Sequence, residues 1–240
     1  MIKGRRVTVI IPALNEARAI GNVIGDLQDF IDDIIVVDNG STDGTALEAR
    51  AAGARVVVEP MRGYGAACLA GIRDAGHTDL FAFIDGDYSD YPEELVKIVA
   101  PVATGELDLA MGARPGKVAG RAVMPWHQRL GNWFLCRVVG MVHGYCYEDF
   151  GPMRCITRDL LEKLEMRDTN YGWTAEMQLK ASMLQARVGH INVSYRNRIG
   201  QSKISGTVKG TVFAASKILY WTFRLSFDPV TPATRKSAGS

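Results

Sequence analysis

The residues best able to do chemistry lie in FIDGDYSDY (Phe83–Tyr91), where Asp85, Asp87 and Asp90 follow an apolar run. Residues two apart in an extended chain point the same way, so Asp85 and Asp87 can face one hard cation. Magnesium and manganese take oxygen ligands and keep part of their shell for water and substrate phosphates. The same letters also fit a solvated turn in which Asp90 caps the next helix. Two further polar clusters, Asn15-Glu16 and Asp38–Asp43, precede it in the chain. In the second half, Arg154, Arg196, Arg198 and Lys203 are cations whose placement suits an anionic partner or a solvated loop. Arginine's planar fork matches phosphate oxygens.

These clusters need elements to hold them. Arg6–Ile11, Asp33–Val37, Ala54–Glu59, Leu80–Ile84 and Leu107–Met111 are short β-branched or apolar runs that read as buried strands. Between them, Asn15–Phe30, Thr45–Ala52, Gly63–Asp74 and Pro92–Val102 carry helical spacing, the last capped by Asp90 or Tyr91. Strand alternating with helix at this period predicts an α/β fold, a single Rossmann-like, mostly parallel sheet with flanking helices. Ligands of such sheets bind outside the carboxyl ends of the strands, where all three acidic clusters fall. Farther on, Met124–Val142, Asp159–Leu164 and Thr174–Leu184 read as helices, Tyr145–Arg154 as a polar turn and Gly189–Arg196 as a strand.

The 240 residues suffice for one large domain, placed at 1–230 with a disordered tail at 231–240. Apolar residues make up 47% and charged residues 22%, which excludes a disordered chain. A net charge of +2 gives no field that calls for nucleic acid. Cys68, Cys136, Cys146 and Cys155 are widely spaced, which suits reduced thiols of a cytoplasmic protein rather than a disulfide frame or zinc site. The first strand ends in PALNE without GxGxxG or GxxxxGK[ST], against dinucleotide dehydrogenases and P-loop enzymes.

VIIPALNE (Val9–Glu16), VVDNGSTDGT (Val36–Thr45), RGYGAA (Arg62–Ala67) and FIDGDYSDYPEEL (Phe83–Leu95), in this order, resemble the family 2 glycosyltransferases of GT-A fold. MGAR, EDFGPMR, YGWTAEMQLKA and YRNRIGQSKISGT extend the resemblance toward dolichol-phosphate mannosyltransferase-like, polyprenyl-phosphate hexosyltransferases. The resemblance implies a metal-dependent, inverting transfer of a hexose from a UDP- or GDP-linked sugar to a polyprenyl or dolichyl phosphate. It implies that Pro12, Ala13, Asn15, Glu16, Asp38, Arg62, Gly63, Asp85, Gly86 and Asp87 bind the nucleotide sugar. Asp85 and Asp87 would hold Mg2+ or Mn2+, and Gly65 would join Gly63 at the phosphates. Arg154, Arg196, Arg198 and Lys203 would bind the acceptor phosphate, with Asp149, Arg154 and Glu176 as the catalytic residues. Asp149 would be the base toward a hydroxyl acceptor; Pro152 and Met153 depart from the family's usual glycine and phenylalanine. Trp173 either covers the acceptor or packs in the core. A soluble transferase acting on a hydroxyl, and a non-catalytic nucleotide-sugar-binding subunit, are the alternatives.

The segment 209–227 is an apolar helix with aromatic residues and Lys209, Lys217 and Arg224 interspersed. That composition suits a peripheral contact with the inner face of a membrane, packing on the domain, or a homodimer partner.

Overall fold

A strand that the sequence does not announce completes the sheet. In the computed structural model, which describes residues 1–114, 137, 140, 151–199, 216–217 and 220–225, seven strands pair in the order β3-β2-β1-β4-β6-β5-β7. They are β1 (Val7–Ala13), β2 (Asp33–Asp38), β3 (Arg55–Val58), β4 (Leu80–Phe83), β5 (Leu109–Ala113), β6 (Arg154–Thr157) and β7 (Val188–Asn192). All pairings are parallel except those of β6, which runs antiparallel to β4 and β5. The expected polar turn Tyr145–Arg154 takes in only the first residue of β6, and four residues led by an arginine give no period of their own. The reversed direction of β6 brings Arg154 opposite Phe83 and Met111, at the end of the sheet where β4 and β5 finish.

The sheet is covered on both faces, as the continuous apolar runs require. On β1, Val7, Val9 and Ile11 enter one core with α1 (Ile20–Gly25), α2 (Thr45–Ala51) and α4 (Leu95–Ala103). Ile10 points to the other face, into a second core with α3 (Tyr64–Asp74), α5 (Arg158–Leu164) and α6 (Trp173–Met183). Thr157 starts α5 by accepting from the Leu160 amide at 3.3 Å, as a hydroxyl cap does. Trp173 is fully buried, with its ring edge-on to Phe83 at 4.8 Å and to Tyr64 at 6.2 Å. It therefore packs the core instead of covering an acceptor.

Two helices begin later than their apolar spacing predicts. Asn15 takes a left-handed φ of 52°, and the amides of Asn15 and Glu16 donate to Ser41 Oγ and Thr45 Oγ1 at 2.9 and 2.8 Å. Those side-chain acceptors hold the chain in a loop until α1 begins. Pro92–Glu94 forms a 3-10 turn before α4, led by Tyr91 with no side-chain cap, so Asp90 does not cap that helix. Its side chain is buried beside the β4 end. The helix Met124–Val142 lies outside the described residues except for Arg137 and Gly140, both helical. So does the 231–240 tail.

Backbone contact requires glycine at two places where α3 begins. Gly63 has a φ of 147°, and a Cβ at Gly63 or Gly65 would overlap the carbonyl oxygens of Thr169 and Asp168. Ala66 instead donates its amide to Thr169 at 2.9 Å. Gly65→Ala should therefore lower the melting temperature by roughly 4–10 °C. Gly76→Ala, where a Cβ meets open space, should leave it nearly unchanged in the same calorimetric scan.

Candidate active site

The rim is assembled at the carboxyl ends of β1, β2 and β4. Register places Ala13 beside Asp38 and Ile10 beside Phe83. Gly86 sits against the end of β1, so that a Cβ there would lie 3.4 Å from the Pro12 carbonyl oxygen. The DGD turn therefore adjoins the PALNE loop.

PALNE and DNGSTDGT are tied together by side chain–backbone bonds. Asn15 Oδ1 accepts from the Thr42 amide at 2.7 Å, and Asp38 Oδ1 accepts from the Ser41 amide at 2.8 Å. Asp43 accepts from the amides of Ala17 and Thr45 and from the Thr45 hydroxyl. Asn15 and the Glu16 backbone thus organise the rim loops. Asn39, which sequence reasoning passed over inside DNGSTDGT, contributes most. Its Nδ2 donates to the carbonyls of Glu59 and Met61 at 3.0 and 2.7 Å, its Oδ1 accepts from the Gly63 amide at 2.8 Å, and its own amide donates to Ala13. The buried Asn39 side chain therefore joins the end of β2 to the segment after β3 and to the RGYG turn, while its backbone amide ties it to the end of β1. The only signal in the sequence was its place directly after a strand. The Gly63 and Gly65 backbones, expected near the phosphates, have partners within the protein. The Gly63 amide is bonded to Asn39, and both glycines admit the 168–169 backbone. Arg62 is exposed and lies over Gly40, within the loop that follows Asp38.

The acidic cluster stands at the centre. Asp87 Oδ1 accepts from the Ser89 amide at 2.9 Å, and Oδ2 pairs with Arg198 at 2.9 Å. Asp85 Oδ1 is buried and has no hydrogen-bond partner among the described residues. Burial, reinforced by the neighbouring charges of Asp87 and Asp90, pushes the Asp85 carboxyl well above its usual range, while Arg198 and Arg114 oppose the rise. A buried carboxylate oxygen without a donor, two residues from a second carboxylate, fits a divalent cation that keeps its other positions for water and phosphate. No set of three His, Cys, Asp or Glu side chains converges on a metal position among the described residues. The protein share would accordingly be small.

The 195–199 segment closes over this cluster. Tyr195 bridges Asp90, Arg196 donates its amide to Ser89 at 2.8 Å, and Ile199 donates to Asp87 at 2.9 Å. The Arg196 guanidinium donates to the carbonyls of Tyr88 and Asp90 and stacks 3.3 Å from the Tyr88 ring centroid and 4.3 Å from that of Tyr91. Arg114 lies over Tyr195 at 5.1 Å.

Residues 8–164 match the family described as Glycosyl transferase family 2. The chain belongs to this glycosyltransferase family. It is 38% identical over 212 residues to an uncharacterized glycosyltransferase of Mycobacterium tuberculosis, covering 88% of this chain and 95% of that one. A dolichyl-phosphate hexose transferase of Haloferax volcanii is 29% identical over 215 residues, covering 88% and 91%. Among solved structures, glucosyl-3-phosphoglycerate synthase from Mycobacterium tuberculosis, in complex with Mn2+, UDP-glucose and phosphoglyceric acid, superposes with a TM-score of 0.74. That structure is 25% identical and covers 92% of this chain and 80% of its own.

Within this family member, the expected acceptor and catalytic residues separate. Arg198 reaches the acidic cluster. Arg154, expected at the acceptor phosphate, is fully buried. It donates to the carbonyls of Gly151, Pro152 and Thr174, and its charge lies 5.9 Å from the Trp173 ring centroid. Arg196 is likewise spent on carbonyls and rings. Glu176, expected as an alternative base, is fully buried on α6. It accepts from the amides of Arg167 and Asp168 and pairs with Lys180 at 2.7 Å, so it anchors a turn below the rim. Asp149 and Lys203 lie outside the described residues.

These placements predict graded losses for two arginines. Arg154→Met leaves buried carbonyls without donors and should cost about 3 kcal/mol, lowering the melting temperature by roughly 6–12 °C. Arg198→Gln takes the cation from the buried Asp87 and should lower it by roughly 2–6 °C, less than Arg154→Met because the Arg198 side chain is 24% exposed. Thermal unfolding of both variants checks this.

Proposed function

We propose that this glycosyltransferase moves a hexose from a nucleoside diphosphate sugar to a polyprenyl phosphate. The observation that carries the donor half is the buried Asp85 oxygen, which lacks a donor among the described residues and lies beside Asp87 at the rim. The donor and Mn2+ bound together in the similar phosphoglycerate synthase support the same reading. Asp85 and Asp87 would hold Mg2+ or Mn2+ against the diphosphate. The ion would supply charge neutralisation for the leaving group. Pro12, Ala13 and Asp38 line the end of the sheet where base and ribose would lie, and Arg62 stands beside them.

The acceptor half draws on the similarity to the dolichyl-phosphate hexose transferase and on the charge arrangement near the acids. A phosphate monoester carries its own negative charge at neutral pH, so no base is required. Its oxygen forms a bond to the anomeric carbon as the bond to the diphosphate breaks, and the nucleoside diphosphate leaves. Arg198, which pairs with Asp87, would bridge the two anionic groups, and Asp149 and Lys203 are assigned to the acceptor side on the resemblance alone. Peripheral membrane contact would suit such an acceptor. No helix among the described residues is long and apolar enough to cross a membrane. Exposed Tyr220 and Phe223 beside Arg224 offer a surface of the required kind.

A second reading is favoured by the phosphoglycerate synthase itself, which was solved in complex with phosphoglyceric acid, a small phosphorylated acid. There a hydroxyl would attack, and Asp149 would take its proton.

One assay separates the readings, and a second tests the metal site. With UDP- or GDP-hexose and Mn2+, a short polyprenyl phosphate should become glycosylated while 3-phosphoglycerate and glycerol 3-phosphate should not. The reverse preference would establish the second reading. Asp87→Ala should lower kcat/KM by about 100-fold or more and abolish nucleotide-dependent Mn2+ binding. Wild-type turnover in that variant would sink the metal assignment.

A further inference from the structure

Away from the acidic cluster, one turn has more bonds than its own packing needs. Residues 168–172 lie between α5 and α6, and Asp168 is almost completely buried there. Its Oδ1 accepts from the amides of Asn170 and Gly172 at 2.7 and 3.2 Å. Its Oδ2 accepts from Trp221 Nε1 at 2.8 Å and Lys217 Nζ at 3.1 Å. Burial works against this charge, but the Trp221, Asn170 and Lys217 donors hold the carboxyl below its ordinary value, so it is ionised at neutral pH. Glu176 fixes the turn from below through the Asp168 amide, and Lys180 lies 5.5 Å from the Trp221 ring centroid.

Lys217 and Trp221 belong to the C-terminal helical stretch, described at 216–217 and 220–225. Trp221, Thr222 and Leu225 face the body, whereas Tyr220 and Phe223 face outward. The opposite side of the same turn touches the donor rim. The carbonyls of Asp168 and Thr169 fill the space that Gly65 and Gly63 leave open, and Thr169 accepts from the Ala66 amide at 2.9 Å. Gly63 is bonded in turn to Asn39, and Asn39 to Ala13. Backbone carbonyls packed against glycines transmit displacement stiffly, because neither side has a side chain that can yield.

We propose that Asp168 is a positioning residue that couples the seating of the C-terminal helix to the geometry of the donor rim, so that nucleotide affinity depends on Lys217 and Trp221. The path runs from Trp221 and Lys217 to Asp168, from Thr169 to Gly63 and Ala66, and from Asn39 to the ends of β1 and β2. This rests on the donor reading above, and it gives the apolar C-terminal segment a task inside the molecule as well as on its outer face.

The test uses the full chain and two measurements. Trp221→Phe keeps an aromatic ring on the helix but removes the Nε1 donor together with the five-membered half of the buried indole, while Asp168→Asn removes the charge. By hydrogen exchange, the Ala66 amide should exchange about 10-fold faster in Trp221→Phe, with Ile10 and Val37 unchanged. By calorimetric titration, UDP or GDP with Mn2+ should bind about 3- to 10-fold more weakly to each variant, and the double variant should be no weaker than Asp168→Asn alone. The donor KM should rise with it while kcat at saturating donor stays close to wild type. Lys217→Arg should retain affinity. Should Asp168→Asn fail to fold, Trp221→Phe carries both measurements. Lower thermal stability with unchanged Ala66 exchange and wild-type nucleotide affinity would overturn the coupling alone. Failure of the wild type to bind either nucleotide would overturn the donor reading and the coupling with it.

Discussion

Carboxylates crowded at the end of a buried strand are costly unless positive charge meets them, and much of this molecule answers that constraint. Asp85, Asp87 and Asp90 are brought together where β4 leaves the sheet. The chain responds with Arg198 paired to Asp87 and with Arg114 close enough to favour ionisation of Asp85. The 195–199 segment is laid over the cluster by backbone bonds to Ser89 and Asp87. Among the described residues one Asp85 oxygen still lacks a donor. That deficit is what the proposed cation would fill.

Around this centre, side chains that resemble ligand contacts serve as scaffold. Asn15, Asn39 and Asp43 spend their oxygens on the loops that form the rim, and Arg154 and Arg196 spend their guanidinium donors on carbonyls. The division has a physical logic. Loops at strand ends have backbone groups with no sheet partner, and a buried amide or hydroxyl without a partner costs more than the bond itself contributes. A site made of loops therefore needs a surplus of polar side chains, of which only a few remain available to a ligand. Membership of glycosyl transferase family 2 agrees with this arrangement, since the matched residues 8–164 span all three rim clusters.

Much was legible in the chain itself. The apolar runs of β1, β2 and β4 and the acidic clusters after them placed the rim, because parallel strands buried on both faces leave continuous apolar runs and ligands gather where those strands end. The glycines of RGYG announced a tight helix entry, and α3 begins at Tyr64. Strand β6 was not legible: four residues led by an arginine give no period, and only pairing with β4 and β5 makes them a strand. Helix α1 was overestimated because its apolar spacing does not reveal that Ser41 and Thr45 take the amides of its expected first turn.

By itself, the sequence determined the order of elements, the sheet's burial on both faces and the position of Asp85 and Asp87 at a strand end, since each follows from local spacing and hydrophobicity. Only the tertiary structure decided which charges face which. Glu176 and Arg154 are fully buried while Arg198 reaches the acids, and Gly63 and Gly65 admit a neighbouring turn. Residues far apart in the chain, such as Asp168 and Trp221, meet only when the helices pack. No local period encodes that meeting, because it depends on the whole sheet to set the distance between them.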